Sequence, residues 1–97
     1  VNMSEMFCMC TDFNQDLTGW DVSNATNMSN MFSGCPSFDS DLSEWDVSNV
    51  ISMWAMFEKS KFNGDISKWN VGKIMDMHDM FKQCPIKEEY KPKFNIK

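Results

Sequence analysis

The chain contains no arginine, one histidine and one tyrosine among its 97 residues. A catalytic arrangement of nucleophile, base and orienting group that needs a second histidine is therefore excluded. We expect no enzymatic activity and no catalytic residues. The sequence has no C-x-x-C pair, and the C-x-C at positions 8 and 10 has no obvious partner ligands for zinc. We therefore expect no metal site and no cofactor.

Long apolar runs are also missing, since no stretch approaches the roughly 20 residues of a membrane-spanning helix. This predicts no direct membrane insertion. Basic residues are absent from residues 1–58, which carry nine acidic residues, whereas residues 59–97 carry nine lysines and five acidic residues. An acidic first half argues against binding to a phosphate backbone, so we expect no nucleic-acid partner.

A phrase of about 25 residues recurs along the chain. Its Met-Phe pair lies at positions 6–7, 31–32, 56–57 and 80–81. A fixed period of this length predicts one domain in which each copy packs against its neighbours. We divide it into a partial repeat 1–19, repeats 20–44, 45–68 and 69–84, and a C-terminal cap 85–97. Because the chain begins inside a repeat and without Met, we expect it to be part of a longer protein.

The apolar spacing changes within each copy. Trp and Val alternate at 20–22, 45–47 and 69–71, which predicts short parallel strands, and the following apolar residues recur at steps of 3, 3, 1 and 3, which predicts a short helix. Eight of the ten Met occupy two repeat positions, which predicts that they pack in the core. The L-x-x-W-x-V spacing matches the start of a leucine-rich repeat. The predicted fold class is α/β, a leucine-rich-repeat-like solenoid.

Three phrases, "TNMSNMF" at 26–32, "MFSGCPSF" at 31–38 and "LSEWDVSNV" at 42–50, give the chain a resemblance to a known family. It resembles the bacterial surface-protein repeat of about 25 residues that is related to the BspA-like leucine-rich repeats. The resemblance implies a curved solenoid, display at the cell surface, often on lipoproteins of wall-less or low-GC bacteria, and a role in adhesion. It brings no catalytic residues.

Cys10, Cys35 and Cys84 share one repeat position, which predicts buried, reduced thiols, since free cysteine is among the most buried residue types. A disulfide between Cys10 and Cys35, in adjacent copies, is the alternative, and it would indicate an oxidising location.

Trp54 is the strongest candidate for a binding residue, because Ser4, Ser29 and His78 occupy its position in the other copies. An exposed Trp is a good interface anchor, with His78 beside it in the next copy. The alternative is that the ring covers a gap in a cluster of side chains at the edge.

Two further sets of polar residues recur at fixed positions. Asp21, Asp46 and Asn70 alternate with the predicted inward Trp and Val, so they are candidate contacts on an outward face or simply a solvated surface. Asp16, Asp41 and Asp65 form another series. These carboxylates either bond backbone amides in their own turns or bind Ca²⁺ between copies.

The sequence therefore favours a non-enzymatic interaction or adhesion module at the cell surface or outside the cell, as part of a membrane-anchored protein. Its expected partner is a host or bacterial surface protein or a glycan. A structural spacer in a larger surface lipoprotein and a calcium-dependent binding module are the alternatives. The oligomeric state stays open.

Overall fold

The computed structural model describes residues 1–94. Within them the only helix is the short 3-10 helix Glu88–Tyr90, and extended pairing is limited to isolated parallel bridges. These bridges join Asn2 to Asn27, Asn27 to Ser52, and Ser52 to Asp76. The predicted α/β leucine-rich-repeat-like solenoid is therefore wrong: residues 20–22, 45–47 and 69–71 form no strands, and no α-helix follows them. The copies nevertheless lie side by side in register, in a largely irregular chain. Counted from these bridges rather than from the Trp-x-Val segments, the four copies are residues 1–25, 26–50, 51–74 and 75–94.

The segment predicted as a helix forms consecutive turns instead. Alternate amides of the second copy donate to carbonyls of the third at 2.8–2.9 Å. The donors are Met28, Asn30, Phe32 and Gly34, and the acceptors are Ser52, Trp54, Met56 and Glu58. The amides in between close turns within the copy, for example from Met31 to the carbonyl of Met28. Because half of the amides are used between copies, the i to i−4 bonds of an α-helix cannot form.

Left-handed residues recur twice in each copy and explain why the turn segment cannot be a right-handed helix. Positive φ angles occur at Glu5, Asn30, Ala55 and Asp79, and again at Met9, Gly34, Lys59 and Gln83. A positive φ at the third residue of a β-turn is typical of type II turns. Gly34 alone of the eight is glycine, and a Cβ there would collide with Sδ of Met9. The exposed Met9 side chain can move aside, and Met9, Lys59 and Gln83 adopt a similar positive φ at the equivalent position, so glycine at Gly34, with its φ of 69°, lowers backbone strain without being required.

The Trp-x-Val segments fail as strands because their backbone amides turn back on their own copy. The amide of Trp45 donates to the carbonyl of Leu42 at 3.1 Å. The indole makes the contact between copies instead. Nε1 of Trp45 donates to the carbonyl of Leu17 at 3.0 Å, and Nε1 of Trp69 donates to that of Leu42 at 2.9 Å. Side chains, rather than a backbone ladder, join the copies here.

Two rows of phenylalanine rings form the centre of the core. Phe7, Phe32, Phe57 and Phe81 stack with centroids 5.6–5.9 Å apart. Phe13, Phe38 and Phe62 stack at 5.8–6.0 Å, and the two rows are only 4.0–4.4 Å apart within a copy. Equivalent rings thus meet in register. Offset-stacked pairs of this kind add about 0.5–1.5 kcal/mol each beyond the burial of their area.

Burial of the two methionine positions depends on the copy. Met28, Met31, Met53 and Met56 are fully buried and Met80 nearly so. Met3 and Met77 are only partly buried, and Met6 is 44% exposed. The core prediction is therefore confirmed inside the row of copies and is wrong for Met6, in the first copy, which has a neighbour on one side only.

Residues 85–94 continue the repeat pattern further than the sequence indicated. The amide of Lys87 donates to Oδ1 of Asn63 at 3.0 Å, as Asp39 donates to Asn14 and Asn63 donates to Asp39 in earlier copies. Ile86 is buried, and Tyr90 and Phe94 pack against the core. These side chains cover the last copy. Residues 95–97 of the predicted cap lie outside the described residues.

All four thiols are free. Cys35 is fully buried, with Sγ 2.7 Å from the carbonyl of Phe7, and burial raises the pKa of its thiol. Cys10 and Cys84 are only partly buried, so the predicted burial is confirmed for Cys35 alone. Cys10 and Cys84 lie in the first and last copies, which lack one full neighbour.

Candidate functional site

Trp54 begins the turn segment of the third copy, and its side chain is 41% exposed. The adjacent Met53 and Ala55 are buried, so the backbone is anchored while the indole lies at the surface. Ala55 has a φ of 53°, and its amide donates to the carbonyl of His78 at 2.9 Å. This bond places the turn that carries Trp54 directly beside His78 in the next copy.

His78 is held at the surface by its own turn. Its backbone amide donates to Oδ1 of Asp76 at 3.1 Å, and Nε2 lies 3.4 Å from Oδ2 of Asp79. The His78 side chain is 76% exposed. An exposed pair of this kind adds little to stability. The imidazole is therefore available to a ligand as an aromatic face and as a hydrogen-bonding group.

Sequence reasoning missed two apolar residues at this edge of the molecule. Ile51 is 45% and Met75 is 78% exposed, and the amide of Met75 donates to the carbonyl of Ile51 at 2.7 Å. We call Ile51, Trp54 and Met75 the apolar edge. The signal was present in the sequence, because Met75 is one of two methionines outside the two core positions and Thr26 shares its place in the repeat.

The second candidate group, Asp21, Asp46 and Asn70, is exposed but lies on turns rather than on a strand surface. Oδ1 of Asp46 accepts from the hydroxyl of Ser48 at 2.6 Å and from its amide at 3.0 Å. Asp21 and Ser23 repeat this pair. The serine hydroxyls, followed by the backbone amides, lower the pKa of both carboxyls. Within residues 1–94, no hydrogen bond or ion pair joins this group to Trp54 or His78.

The aspartates weighed as calcium ligands also serve in turns. Oδ1 of Asp16, Asp41 and Asp65 accepts the amide of the residue two positions later at 2.9–3.0 Å. The amides, followed by the hydroxyls of Thr18 and Ser43, lower the pKa of Asp16 and Asp41, and the hydroxyl of Ser67, followed by its amide, lowers the pKa of Asp65. The turn interpretation is therefore confirmed. In the described part of the chain, no group of three or more His, Cys, Asp or Glu is placed to hold a metal ion.

Comparison with known proteins identifies a family. Residues 1–94 match the family model described as "Mycoplasma protein of unknown function, DUF285". The chain belongs to this family. The match covers all four copies and Glu88–Tyr90, so the chain is a bacterial repeat protein, while the narrower assignment to BspA-like leucine-rich repeats is not shown.

The search of curated proteins and the search of solved structures each found no match. Among residues 1–94, no helix has the length and apolar character needed to cross a bilayer.

Proposed function

We propose that this chain is a non-enzymatic module that binds a protein or a glycan through the apolar edge together with His78. The observation that carries the proposal is Trp54. A Trp occupies a position that holds Ser or His in the other copies, and it is 41% exposed between buried neighbours. A rigid aromatic ring on a fixed backbone loses little entropy on binding, and Trp is among the residues most enriched at binding hot spots.

The surroundings of Trp54 suit either class of partner. Ile51 and Met75 extend the apolar surface, and clusters of exposed apolar side chains commonly mark interaction sites. His78 adds a hydrogen-bonding group beside the indole. An apolar surface with a polar group at its margin fits the core and rim of a protein interface, and it equally fits the apolar face and hydroxyl groups of a sugar.

Asp21, Asp46 and Asn70 are proposed as a second, polar contact. The turn hydrogen bonds described above use Oδ1 of Asp21 and Asp46, and they leave Oδ2 outside the turn. Such carboxylates can accept hydrogen bonds from a ligand without breaking the turn.

The proposed location is the surface of a bacterial cell, where the module is part of a membrane-anchored protein. The support is membership in a Mycoplasma family together with the resemblance to bacterial surface-protein repeats. The second candidate function is a spacer that holds another domain away from the membrane. A row of copies that contact only their neighbours suits a spacer equally well, so binding has to be tested directly.

The decisive experiment compares Trp54→Ser with Trp20→Ser, because the two rings are equally exposed, at 41% each, in different copies. Both variants and the unaltered chain are applied to a glycan array and to a panel of immobilised host surface proteins. We expect Trp54→Ser to weaken binding by about 30-fold, the equivalent of a 2 kcal/mol hot spot, and Trp20→Ser to leave it unchanged.

Urea unfolding of each variant shows that loss of binding is not loss of folding. If the unaltered chain binds nothing on either surface, or if both variants bind as well as it does, the proposal fails and the spacer function is favoured.

A further inference from the structure

The backbone amide of Trp54 lacks a hydrogen bond that the equivalent amide makes in each of the other copies. There, Oδ1 of the residue two positions earlier accepts the amide at 2.8–3.1 Å. The pairs are Ser4 with Asn2, Ser29 with Asn27, and His78 with Asp76. Within residues 1–94, the Trp54 amide has no acceptor. Because the accepting side chains of Asn2 and Asp76 are exposed, an amide at this position faces the surface.

The difference arises from Ser52, which stands where the other copies carry asparagine or aspartate. Its hydroxyl lies 2.6 Å from the hydroxyl of Ser29 in the preceding copy, and it is therefore engaged away from the Trp54 amide. In the described part of the chain the amide of Ser52 also lacks an acceptor, but so does that of its equivalent, Asn27. Only the Trp54 amide sets the third copy apart, and this copy has a neighbour on both sides.

The backbone around Trp54 offers a ligand a donor, because its carbonyls are already engaged. The carbonyls of Ile51, Ser52, Met53 and Trp54 accept the amides of Met75, Met28, Met56 and Asn30. A ligand that lies on the indole can therefore bond to the backbone by supplying an acceptor to the Trp54 amide. The acceptors that the protein itself presents here are the carboxylates of Asp76 and Asp79, on either side of His78.

These groups favour a peptide as the ligand. The two carboxylates repel an anionic acceptor, so a neutral one fits the Trp54 amide better, and the carbonyl of a peptide bond is such a group. The apolar face of a sugar would occupy the indole alone, and its hydroxyl groups would then lie against Ile51 and Met75 without a partner. A peptide can instead place an apolar side chain there and a cation opposite the carboxylates.

We propose that the apolar edge binds a short segment of a protein partner that carries a large apolar residue next to Lys or Arg. A carbonyl of the segment accepts the Trp54 amide, its apolar side chain lies on the apolar edge, and its cation faces Asp76 and Asp79. This inference rests on the proposed function and selects a peptide as the ligand.

The first test titrates the blocked peptide acetyl-Phe-Leu-Lys-amide into the unaltered chain and follows the Trp54 amide and indole resonances by NMR. Acetyl-Phe-Leu-Glu-amide is the matched control for charge, and chitotriose is the glycan probe. We expect the Lys peptide to shift both resonances and to bind at least about threefold more tightly than the Glu peptide. We expect no shift with chitotriose.

The second test fills the Trp54 amide from within the chain. Ser52→Asn supplies the side-chain acceptor that Asn27 provides in the second copy, and slower exchange of the Trp54 amide without peptide shows that the bond has formed. We expect this variant to bind the Lys peptide about three- to tenfold more weakly, the effect of one hydrogen bond. Ser52→Ala is the matched control, because it also removes the hydroxyl contact with Ser29 but leaves the amide open, and it should bind like the unaltered chain.

The absence of any shift of the Trp54 amide in the unaltered chain, up to the solubility limit of the Lys peptide, would overturn the inference whatever the variants do. Equal binding by Ser52→Asn and Ser52→Ala, or a shift with chitotriose and not with the peptide, would also overturn it while leaving the proposed function intact. Failure of the proposed function looks different, because Trp54→Ser would then bind the glycan array and the protein panel as the unaltered chain does.

Discussion

Met31 and Phe32 in the second copy are fully buried, whereas Met6 and Phe7, at the same positions in the first copy, are 44% exposed and partly buried. The residue types are identical, and so is the turn that carries them, with positive φ angles of 58° at Asn30 and 60° at Glu5. Only the number of neighbouring copies differs. Burial in this protein is therefore a property of the place in the row rather than of the repeat itself.

The sharpest test of this comparison pairs Phe32→Ala with Phe7→Ala. Phe32 stacks on Phe7, Phe38 and Phe57 and is fully buried, so its truncation should cost about 3–5 kcal/mol of the free energy of unfolding. Phe7 has a neighbouring copy on one side only, and its truncation should cost roughly half as much or less. Urea unfolding monitored by fluorescence measures both. Equal losses would show that position in the row does not matter.

We expect a smaller difference in the free energy of unfolding between Trp45→Phe and Trp20→Phe. The Trp45 indole donates to the carbonyl of Leu17, which also accepts the amide of Trp20, so replacing the indole removes one hydrogen bond at a cost of about 0.5–1.5 kcal/mol. Trp20 donates to no carbonyl within residues 1–94, so its replacement should change stability by about 0.5 kcal/mol or less. The comparison is contradicted if Trp20→Phe proves to be the more damaging substitution.

At one of the turn positions the first two copies carry an ionisable residue, Asp21 and Asp46, whereas the third carries Asn70. Hydrogen bonds from Ser48 lower the folded-state pKa of Asp46 below that of the unfolded chain. Its contribution to stability is therefore complete above the ordinary aspartate pKa of about 4 and is lost as the pH falls through the lower, folded value.

We expect Asp46→Asn to make stability less dependent on pH between about pH 5 and pH 3, and Asn70→Asp to make it more dependent. Urea midpoints measured across this range test both substitutions. Identical pH slopes for the two variants would show that the turn carboxylates do not contribute.

The smallest effect is expected from calcium. Asp16, Asp41 and Asp65 each use Oδ1 within a turn, so the melting temperature should be the same in excess CaCl₂ and in chelator. A site filled at 100 times its Kd would stabilise the fold by about 2.7 kcal/mol, a shift that a melting curve resolves easily. A calcium-dependent rise that disappears in Asp41→Asn would restore the metal interpretation.

The sequence predicted which residues meet, but not the backbone that brings them together. The repeat period correctly places Phe32 beside Phe57 and Met28 and Met53 in the core. The apolar steps of 3, 3, 1 and 3 suit one face of a helix, yet consecutive β-turns with left-handed residues at Asn30 and Gly34 turn the same side chains inward. The spacing of apolar residues indicates which side chains point inward. It does not indicate whether a backbone amide donates its hydrogen bond within its own copy or to the next copy.

The residues of the candidate site could also be predicted from the sequence only in part. The exposure of Trp54 followed from its difference from Ser29 and His78, whereas Ile51 and Met75 passed unnoticed because their position contains both polar and apolar residues. Cys10, Met6 and Trp20 are more exposed than their equivalents in the second copy because the first copy packs against one other copy only, and no residue within the copy records this.

The backbone hydrogen bonds between copies join only adjacent ones, with the first copy at one end of the row and the last at the other. Tension applied across residues 1 and 94 therefore loads the end copies first. Each copy that peels away releases about 25 residues, and at roughly 3.3–3.6 Å per residue this lengthens the chain by about 80–90 Å. The protein should therefore extend under force in steps of similar length, one for each copy that unfolds. When the force is released, it should shorten as each copy refolds onto the adjacent one.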